Sequence, residues 1–220
     1  MRWLLPALLL VGCTSQNGPA ANGGSEAHEM ARPRTVGEHT LEQLLQRRRS
    51  VREFTDARLT DAEIAQLCWA AQGVTGDEGQ RTAPSAGALY PLELYVLSAD
   101  GVFHYLPQGH KLRRISDDDA RPALYAAALE QEAVRDAPAV FVIAADYQRT
   151  SRKYGDRAER YVYMEAGHAA QNLLLQAVAL GLGGVPIGAF DDNAAHRALA
   201  LSRELAVLYL LPVGHPAREP

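Results

Sequence analysis

Cysteine is scarce. Only Cys13 and Cys68 occur in 220 residues, which excludes a disulfide framework or a cysteine-rich zinc site. Long apolar runs are also missing: the N-terminal stretch from Trp3 to Val11 is too short to span a bilayer as a helix. There is no surplus of positive charge. Lys and Arg number 22 against 26 Asp and Glu, a net charge of -4, which argues against a general nucleic-acid binder. No internal repeat shows. No Gly-Lys-Ser/Thr follows a glycine-rich turn, and the glycines near residue 184 do not follow a strand and open a helix as a dinucleotide fingerprint requires. What is present is a hydrophobic fraction of 47%, enough for a folded chain. The length suits one domain with an extension, or two small ones.

The N-terminus reads as an address. Arg2 precedes the apolar run, which has the length of a signal-peptide core. The run ends in Leu10-Val11-Gly12-Cys13, which resembles the lipobox of bacterial lipoproteins. That resemblance implies a signal peptide over 1–12, lipidation at Cys13, and an anchor in the cell envelope, at the outer membrane or the periplasmic face. Thr14 in place of Asp after the cysteine leans towards the outer membrane. An ordinary signal peptide with an incidental cysteine is the alternative. Residues 13–36 are rich in small and polar types and read as a lipidated cysteine followed by a flexible tether. The folded domain is then 37–220, with Cys68 as a buried, inert thiol.

Within that domain helices and strands are interleaved. Leu41, Leu44 and Leu45 share one helical face over residues 40–48. Thr60-Asp61-Ala62-Glu63 has the form of a capping box, and Gly73 marks the end of the helix it opens. Strand patterns cover 92–97, 102–105 and 205–211, and the continuous apolar run 139–145 suits a buried central strand. A helix with a break is expected over 120–135, and a short one after Asp192. The longest helix spans 158–182. Its second half is apolar almost all round, yet Glu165, His168, Asn172 and Gln176 lie on one stripe and need partners. His168 alone reads as a hydrogen-bonded interior histidine. The set is α+β, without regular βαβ alternation.

Three segments carry chemistry. In Arg47-Arg48-Arg49-Ser50-Val51-Arg52, Arg48, Ser50 and Arg52 alternate. An extended chain would point them to one side, where two guanidiniums and a hydroxyl suit a phosphate or an anionic ring. Ser85, Ala86, Gly87 and Ala88 form a small-residue loop between Pro84 and Pro91 that lets backbone approach a flat ligand. Pro186, Ile187, Gly188 and Ala189 follow the long helix with small residues at a bend.

In this order and spacing the three segments resemble the nitroreductase superfamily over residues 41–216. The closer resemblance is to the SagB-type dehydrogenases, also called thiazole-forming peptide maturase oxidases. It is carried by Arg49-Ser50-Val51-Arg52-Glu53-Phe54, the loop from Pro84 to Pro91, Lys153-Tyr154-Gly155-Asp156-Arg157, and the Glu165-Ala166-Gly167-His168 stretch that runs on to Gln171-Asn172-Leu173. The resemblance implies a mixed sheet flanked by helices, a homodimer built on the long helix, and FMN at the subunit interface.

On that reading Arg48, Ser50 and Arg52 hold the FMN phosphate and pyrimidine edge, with Arg218 as a further phosphate ligand. Ser85 to Ala88 lie on the flavin of the partner chain, and Pro186 to Ala189 cover one flavin face. Hydride moves through flavin N5 in a ping-pong cycle, with Arg52 stabilising the charge that develops. Lys153 and Tyr154 remove the substrate proton. The other reading of Lys153 is a member of the basic run with Arg149, Arg152 and Arg157. Many nitroreductases carry Asn where this chain has Ala88, and Glu where it has Gly188. An NAD(P)H-dependent nitroreductase, a non-catalytic flavin-binding lipoprotein and a flavin-free scaffold are the other functional readings. The substrate, a small molecule or a peptide, is not named by the sequence, and neither is the electron donor or acceptor.

Overall fold

The computed structural model of the protein describes residues 27–218. Seven strands form one sheet: β1 (His28–Glu29), β2 (Leu92–Ser98), β3 (Gly101–Leu106), β4 (Lys111–Ser116), β5 (Ala139–Asp146), β6 (Gly183–Gly184) and β7 (Leu205–Gly214). Their order is β1-β4-β3-β2-β5-β7-β6. Every strand pair is antiparallel. The α+β class is as expected, but the sheet is not mixed. Residues 50–54 build no ladder of their own, so parallel contact among the described residues is confined to the isolated Ser50–Gly184 bridge.

The apolar run 139–145 is continuous because β5 is buried on both faces. Phe141 and Ile143 join the core on one side; Val140, Val142 and Ala144 join the core on the other. Helices cover both sides. The first core is closed by α2 (Asp61–Gln72) and α6 (Ala158–Ala179). The second is closed by α3 (Arg121–Ala127), α4 (Glu132–Asp136) and α7 (Asp192–Ala198). The expected break in the 120–135 helix falls between α3 and α4, where Leu129 and Glu130 take left-handed φ of 55°. Both α1 (Leu41–Arg47) and α2 open on capping boxes, Thr40 with Gln43 and Thr60 with Glu63. Each such cap contributes about 1 kcal/mol. The short α5 (Tyr147–Tyr154) leads through one 3-10 turn into α6.

In the single chain α6 is covered on one face only. Val162, Ala166, Ala169, Leu173 and Ala177 are buried against α2 and the sheet, whereas Tyr163 and Met164 are about half exposed. His168 is exposed, not interior. Cys68 is fully buried, and burial raises its thiol pKa.

The expected tether needs a correction. The signal peptide, Cys13 and residues up to 26 lie outside the described residues, but residues 28–34 belong to the fold. β1 pairs with β4, and the Met30 amide donates to the His110 carbonyl at 3.1 Å. The Arg34 amide and carbonyl bond the Gln66 side chain at 2.7 and 3.0 Å. Composition hid this because the contacts are made by backbone groups, which any residue type supplies.

Gln66 is 5% exposed and its Nε2 keeps a bond to Gln176, so removing Arg34 leaves the buried Oε1 without a partner, at about 1–3 kcal/mol. A chain that starts at residue 37 is therefore expected to melt a few degrees below one that starts at residue 27. Equal melting temperatures in a thermal scan would show that the segment adds nothing.

Candidate active site

The sequence-predicted residues gather in two groups along α6. At its C-terminal end the chain leaves α1 through Arg48 and runs extended along Gly184. The Val51 amide donates to the Gly184 carbonyl at 3.1 Å, and a Cβ on Gly183 would lie 2.6 Å from Val51 Cβ. Only glycine therefore lets the two segments touch. Ser50 and Arg52 are exposed and Arg48 is half-buried, leaving these side chains accessible. Arg49 turns back instead: its guanidinium donates to the Gln46 and Arg48 carbonyls at 2.8 Å.

Arg218 does not join Arg48, Ser50 and Arg52. It shares a cavity of about 400 Å³ with Arg47, Arg49 and Val51, and its guanidinium sits 3.8 Å from Glu53. In an extended segment Arg49, Val51 and Glu53 alternate with Ser50 and Arg52, so Arg218 is on the opposite face. Sequence proximity to the C-terminus carried no information on that face.

The second group lies towards the other end of α6. Ser85 opens a 3-10 turn over Ala86–Ala88. Three residues of this loop are left-handed: Gly87 at φ 63°, Ala88 at 53° and Tyr90 at 47°. Two are not glycine, and each costs about 1–2 kcal/mol in that region. The Tyr90 amide donates to Ser85 Oγ at 2.9 Å and closes the loop. A Cβ on Gly87 would lie 2.8 Å from both Lys153 Nζ and Tyr154 Oη. Residues 66 positions apart thus meet at one glycine, and the paired Lys153 and Tyr154 face the small-residue loop. The Tyr154 ring is held edge-on by Tyr161, with centroids 5.0 Å apart.

A half-buried polar network fixes this group. Arg149, on the same helix as Lys153, donates to the Tyr90 carbonyl at 3.1 Å and bonds Glu93. Glu93 also accepts from His104 Nε2 at 2.7 Å. The Arg113 guanidinium lies 3.0 Å from His104 Nδ1 and donates there, so the ring proton sits on Nε2. Burial works against ionisation of Glu93, but His104 and Arg149 outweigh it and hold its pKa low. Sequence reasoning missed this role of Arg149 by grouping it with a surface basic run. Beneath the loop lies Glu165, 2% exposed. Its Oε1 has no hydrogen-bond partner. Desolvation pushes its pKa up to about 7, opposed by Ser85 and by Arg81. Two other members of the expected polar stripe are paired: Asn172 donates to the Thr82 carbonyl at 3.1 Å and Gln176 accepts from Gln66 at 3.1 Å.

Ile187 exchanges two backbone bonds with Leu210, at 2.8 and 3.0 Å. Gly188 opens onto a cleft of about 1030 Å³, with Tyr147, Tyr163, Phe190 and His196 among its walls. A Cβ on Gly188 would meet only Tyr209, at 3.9 Å, so packing does not demand glycine there. Among the described residues no cluster of His, Cys, Asp or Glu could hold a metal.

The model of the nitroreductase family matches residues 45–215, and the chain belongs to that family. A protein of Methanocaldococcus jannaschii whose name places it among nitroreductases is 48% identical over 185 residues, 81% of this chain and 92% of its own. The solved NADPH:FMN oxidoreductase of Vibrio harveyi, complexed with NAD+, superposes with a TM-score of 0.61 at 25% identity, covering 81% of this chain and 70% of that one. The trifolitoxin-processing protein TfxB of Rhizobium leguminosarum bv. trifolii is 30% identical over 119 residues, 49% of this chain and 32% of its own length. The fold and family make this chain a flavin-type oxidoreductase of nitroreductase architecture.

The raised pKa of Glu165 has a stability consequence. Between its ordinary value of 4.5 and about 7, the folded state keeps a proton that the unfolded state has lost. Stability therefore falls as pH rises through that window and is level above it. Glu165→Gln should erase this loss and be the more stable protein at pH 8, by on the order of 2 kcal/mol. Urea melts of both proteins at pH 5 and pH 8 check this; parallel pH profiles would contradict it.

Proposed function

We propose that the protein is an FMN-dependent oxidoreductase of the SagB-like dehydrogenase type, working as a homodimer and oxidising its substrate. The observation that carries this reading is the contact of Lys153 and Tyr154 with Gly87. It sets a proton-accepting pair against the loop that the family lays on its flavin.

The dimer is supported by where the two groups lie. Glu165, below the Ser85 loop, and Val178, which shares the cavity with Val51, are roughly 20 Å apart along the axis of α6. One chain cannot close both groups on one ligand. A two-fold pairing through the open face of α6 sets the Ser85 loop of one chain against the arginines of the other, and covers Met164 and its neighbours.

The residues present fit FMN. Arg48, Ser50 and Arg52 offer accessible charge and a hydroxyl for its phosphate and pyrimidine edge. The Gly183–Gly184 approach and the loop from Pro186 to Ala189 leave room for a flat ring. When bound, FMN supplies a ring that accepts a hydride from the substrate. Lys153 and Tyr154 take the proton released from the same substrate, and Arg52 holds the negative charge that develops. The substrate is a small molecule or peptide that carries both the hydride and that proton.

Lipidation at Cys13 places the enzyme in the cell envelope, where reduced nicotinamide is not expected; oxidation linked to dioxygen or another acceptor does not need it. The likeness to the Vibrio harveyi enzyme favours the second reading, an NAD(P)H-dependent reductase.

The two readings separate on mixing. FMN-loaded protein and excess NADH or NADPH, mixed without oxygen, are expected to show no flavin bleaching within a second; fast bleaching would favour the reductase. Arg52→Ala should weaken FMN binding ten- to hundredfold, about 1.5–3 kcal/mol. Lys153→Ala should keep its flavin and lose substrate turnover; normal turnover would return Lys153 to the surface run. For the anchor, a Cys13→Ser chain should leave the membrane fraction. Its continued processing and retention would refute lipidation.

A further inference from the structure

We infer that Glu93 is a positioning residue: it aims the Arg149 guanidinium at the Tyr90 carbonyl, and so keeps the turn at Gly87 seated on Lys153 and Tyr154. The hold on the turn is independent of any ligand; its consequence for flavin binding rests on the FMN reading above.

Glu93 is the one charged residue of β2. By alternation it shares a side of the strand with Tyr95 and Leu97, both in the second core, and its side chain is 16% exposed. Packing does not ask for a carboxylate there. A buried ion network is often no more stabilising than apolar residues of similar volume, and its best-attested use is to fix one arrangement. Here the group fixed is Arg149. Its Nη1 donates to the Tyr90 carbonyl at 3.1 Å, its Nη2 donates to Glu93, and its Nε lies 3.4 Å from Asp146. Asp146 is the cap of Arg149's own helix, so Glu93 is the anion that draws the guanidinium across to the loop. The guanidinium is a rigid planar fork. A carboxylate that fixes Nη2 therefore also fixes the direction of Nη1.

Glu93 is itself held. Its Oε2 accepts from His104 Nε2 at 2.7 Å. The His104 ring stacks on Tyr95, with centroids 4.7 Å apart, and its other nitrogen accepts from Arg113 at 3.0 Å. At the far end of the path Tyr90 sits at φ 47°, where a non-glycine residue stays only when its contacts over-determine it. Lys153 lies one turn beyond Arg149 on the same helix face, so one guanidinium registers both partners of the Gly87 contact. Glu93, His104, Arg113 and Arg149 line a cavity of about 430 Å³, and Arg113 and Glu204 in its wall are exposed. The carboxylate position is thus reachable from solvent. Glu93→Ala deletes a CH2–COO⁻ fragment, which acetate matches in shape and charge.

The test asks whether acetate can replace the missing group. In flavin-free protein at neutral pH, hydrogen exchange of segment 85–91 is measured for the parent, Glu93→Ala and Glu93→Gln. Each is run in chloride, in acetate at the same ionic strength, and in chloride with acetamide. The reporters are the Ala88 and Tyr90 amides, which donate to the Ser85 carbonyl and Oγ. Both variants should exchange there about three- to thirtyfold faster than the parent. Acetate should return Glu93→Ala towards the parent rate, and acetamide should not; Glu93→Gln, with no space vacated, should respond to neither. In an Arg149→Met background neither substitution should add to the rate, because the path runs through Arg149. A carboxylate that only stabilised the fold would speed exchange with or without Arg149. FMN fluorescence quenching is then titrated on the same proteins. The parent should bind FMN more tightly than Glu93→Ala in chloride, and the ratio should approach one in acetate; competition of acetate for the flavin site cancels in that ratio.

Parent-like exchange of segment 85–91 in Glu93→Gln overturns the positioning role, whether or not FMN binds. So does an undiminished effect in the Arg149→Met background, or a loss in Glu93→Ala that acetate leaves untouched. If exchange behaves as expected but no form quenches FMN, the hold on the turn stands and the flavin reading falls. If FMN binds equally to the parent and both variants, the consequence for flavin is overturned. Should Glu93→Ala fail to fold, Glu93→Gln with and without Arg149 decides.

Discussion

The site depends on a division of labour along one helix. The buried face of α6, from Val162 to Ala177, is packed on α2 and the sheet, which fixes its axis in the fold. Everything with chemical promise is then tied to one end or the other: Val51 and Gly183 at the C-terminal end, Ser85 and Lys153 towards the N-terminal end. Because a helix rises only 1.5 Å per residue and does not bend back, these groups cannot meet in one chain. The open face of α6 and the separation of the two groups are two aspects of the same geometry.

Specificity is set by backbone as much as by side chains. Gly183 leaves room for Val51, whose Cβ would lie 2.6 Å from an added Cβ, Gly184 does the same for the Pro212 carbonyl, and Gly87 allows Lys153 and Tyr154 to reach the loop. The strain at Ala88 and Tyr90 is offset by three fixed contacts: the Ser85–Tyr90 bond, Arg149 on the Tyr90 carbonyl, and Arg81 over the Tyr90 ring. Arg149 joins this loop to the Glu93–His104–Arg113 network across β2, β3 and β4. The helix that ends in Lys153 and Tyr154 is thereby keyed to the centre of the sheet. Ordered support of this kind is what preorganised proton transfer requires.

Much of this was legible in the sequence. The start of α2 followed from threonine paired with Glu three residues on, because that chemistry is local, and α1 followed from its leucine spacing. The central strand followed from its unbroken apolar run. β4 escaped because Lys111, Arg113, Arg114 and Ser116 hide its alternation; only Leu112 is a buried apolar residue there. β1 is two residues long and pairs through backbone alone. At the site, the arginine segment and the small-residue loop could be found because their residue types are unusual. The side to which Arg218 turns, the exposure of His168, and the roles of Arg81 and Arg149 depend on contacts tens of residues apart, and no local pattern encodes them.

The central claim is that each FMN site is shared between two chains, and mixing two defective chains tests it most directly. Arg52→Ala damages one half-site and Gly87→Val the other, the latter by forcing a branched side chain onto Lys153 and Tyr154. Each variant alone should hold little FMN. Refolded together, one mixed dimer carries one site with both halves intact, so flavin absorbance should return at close to one FMN per mixed dimer. If the mixture binds no more FMN than the separate variants, each site lies within a single chain, and the shared-site account is wrong.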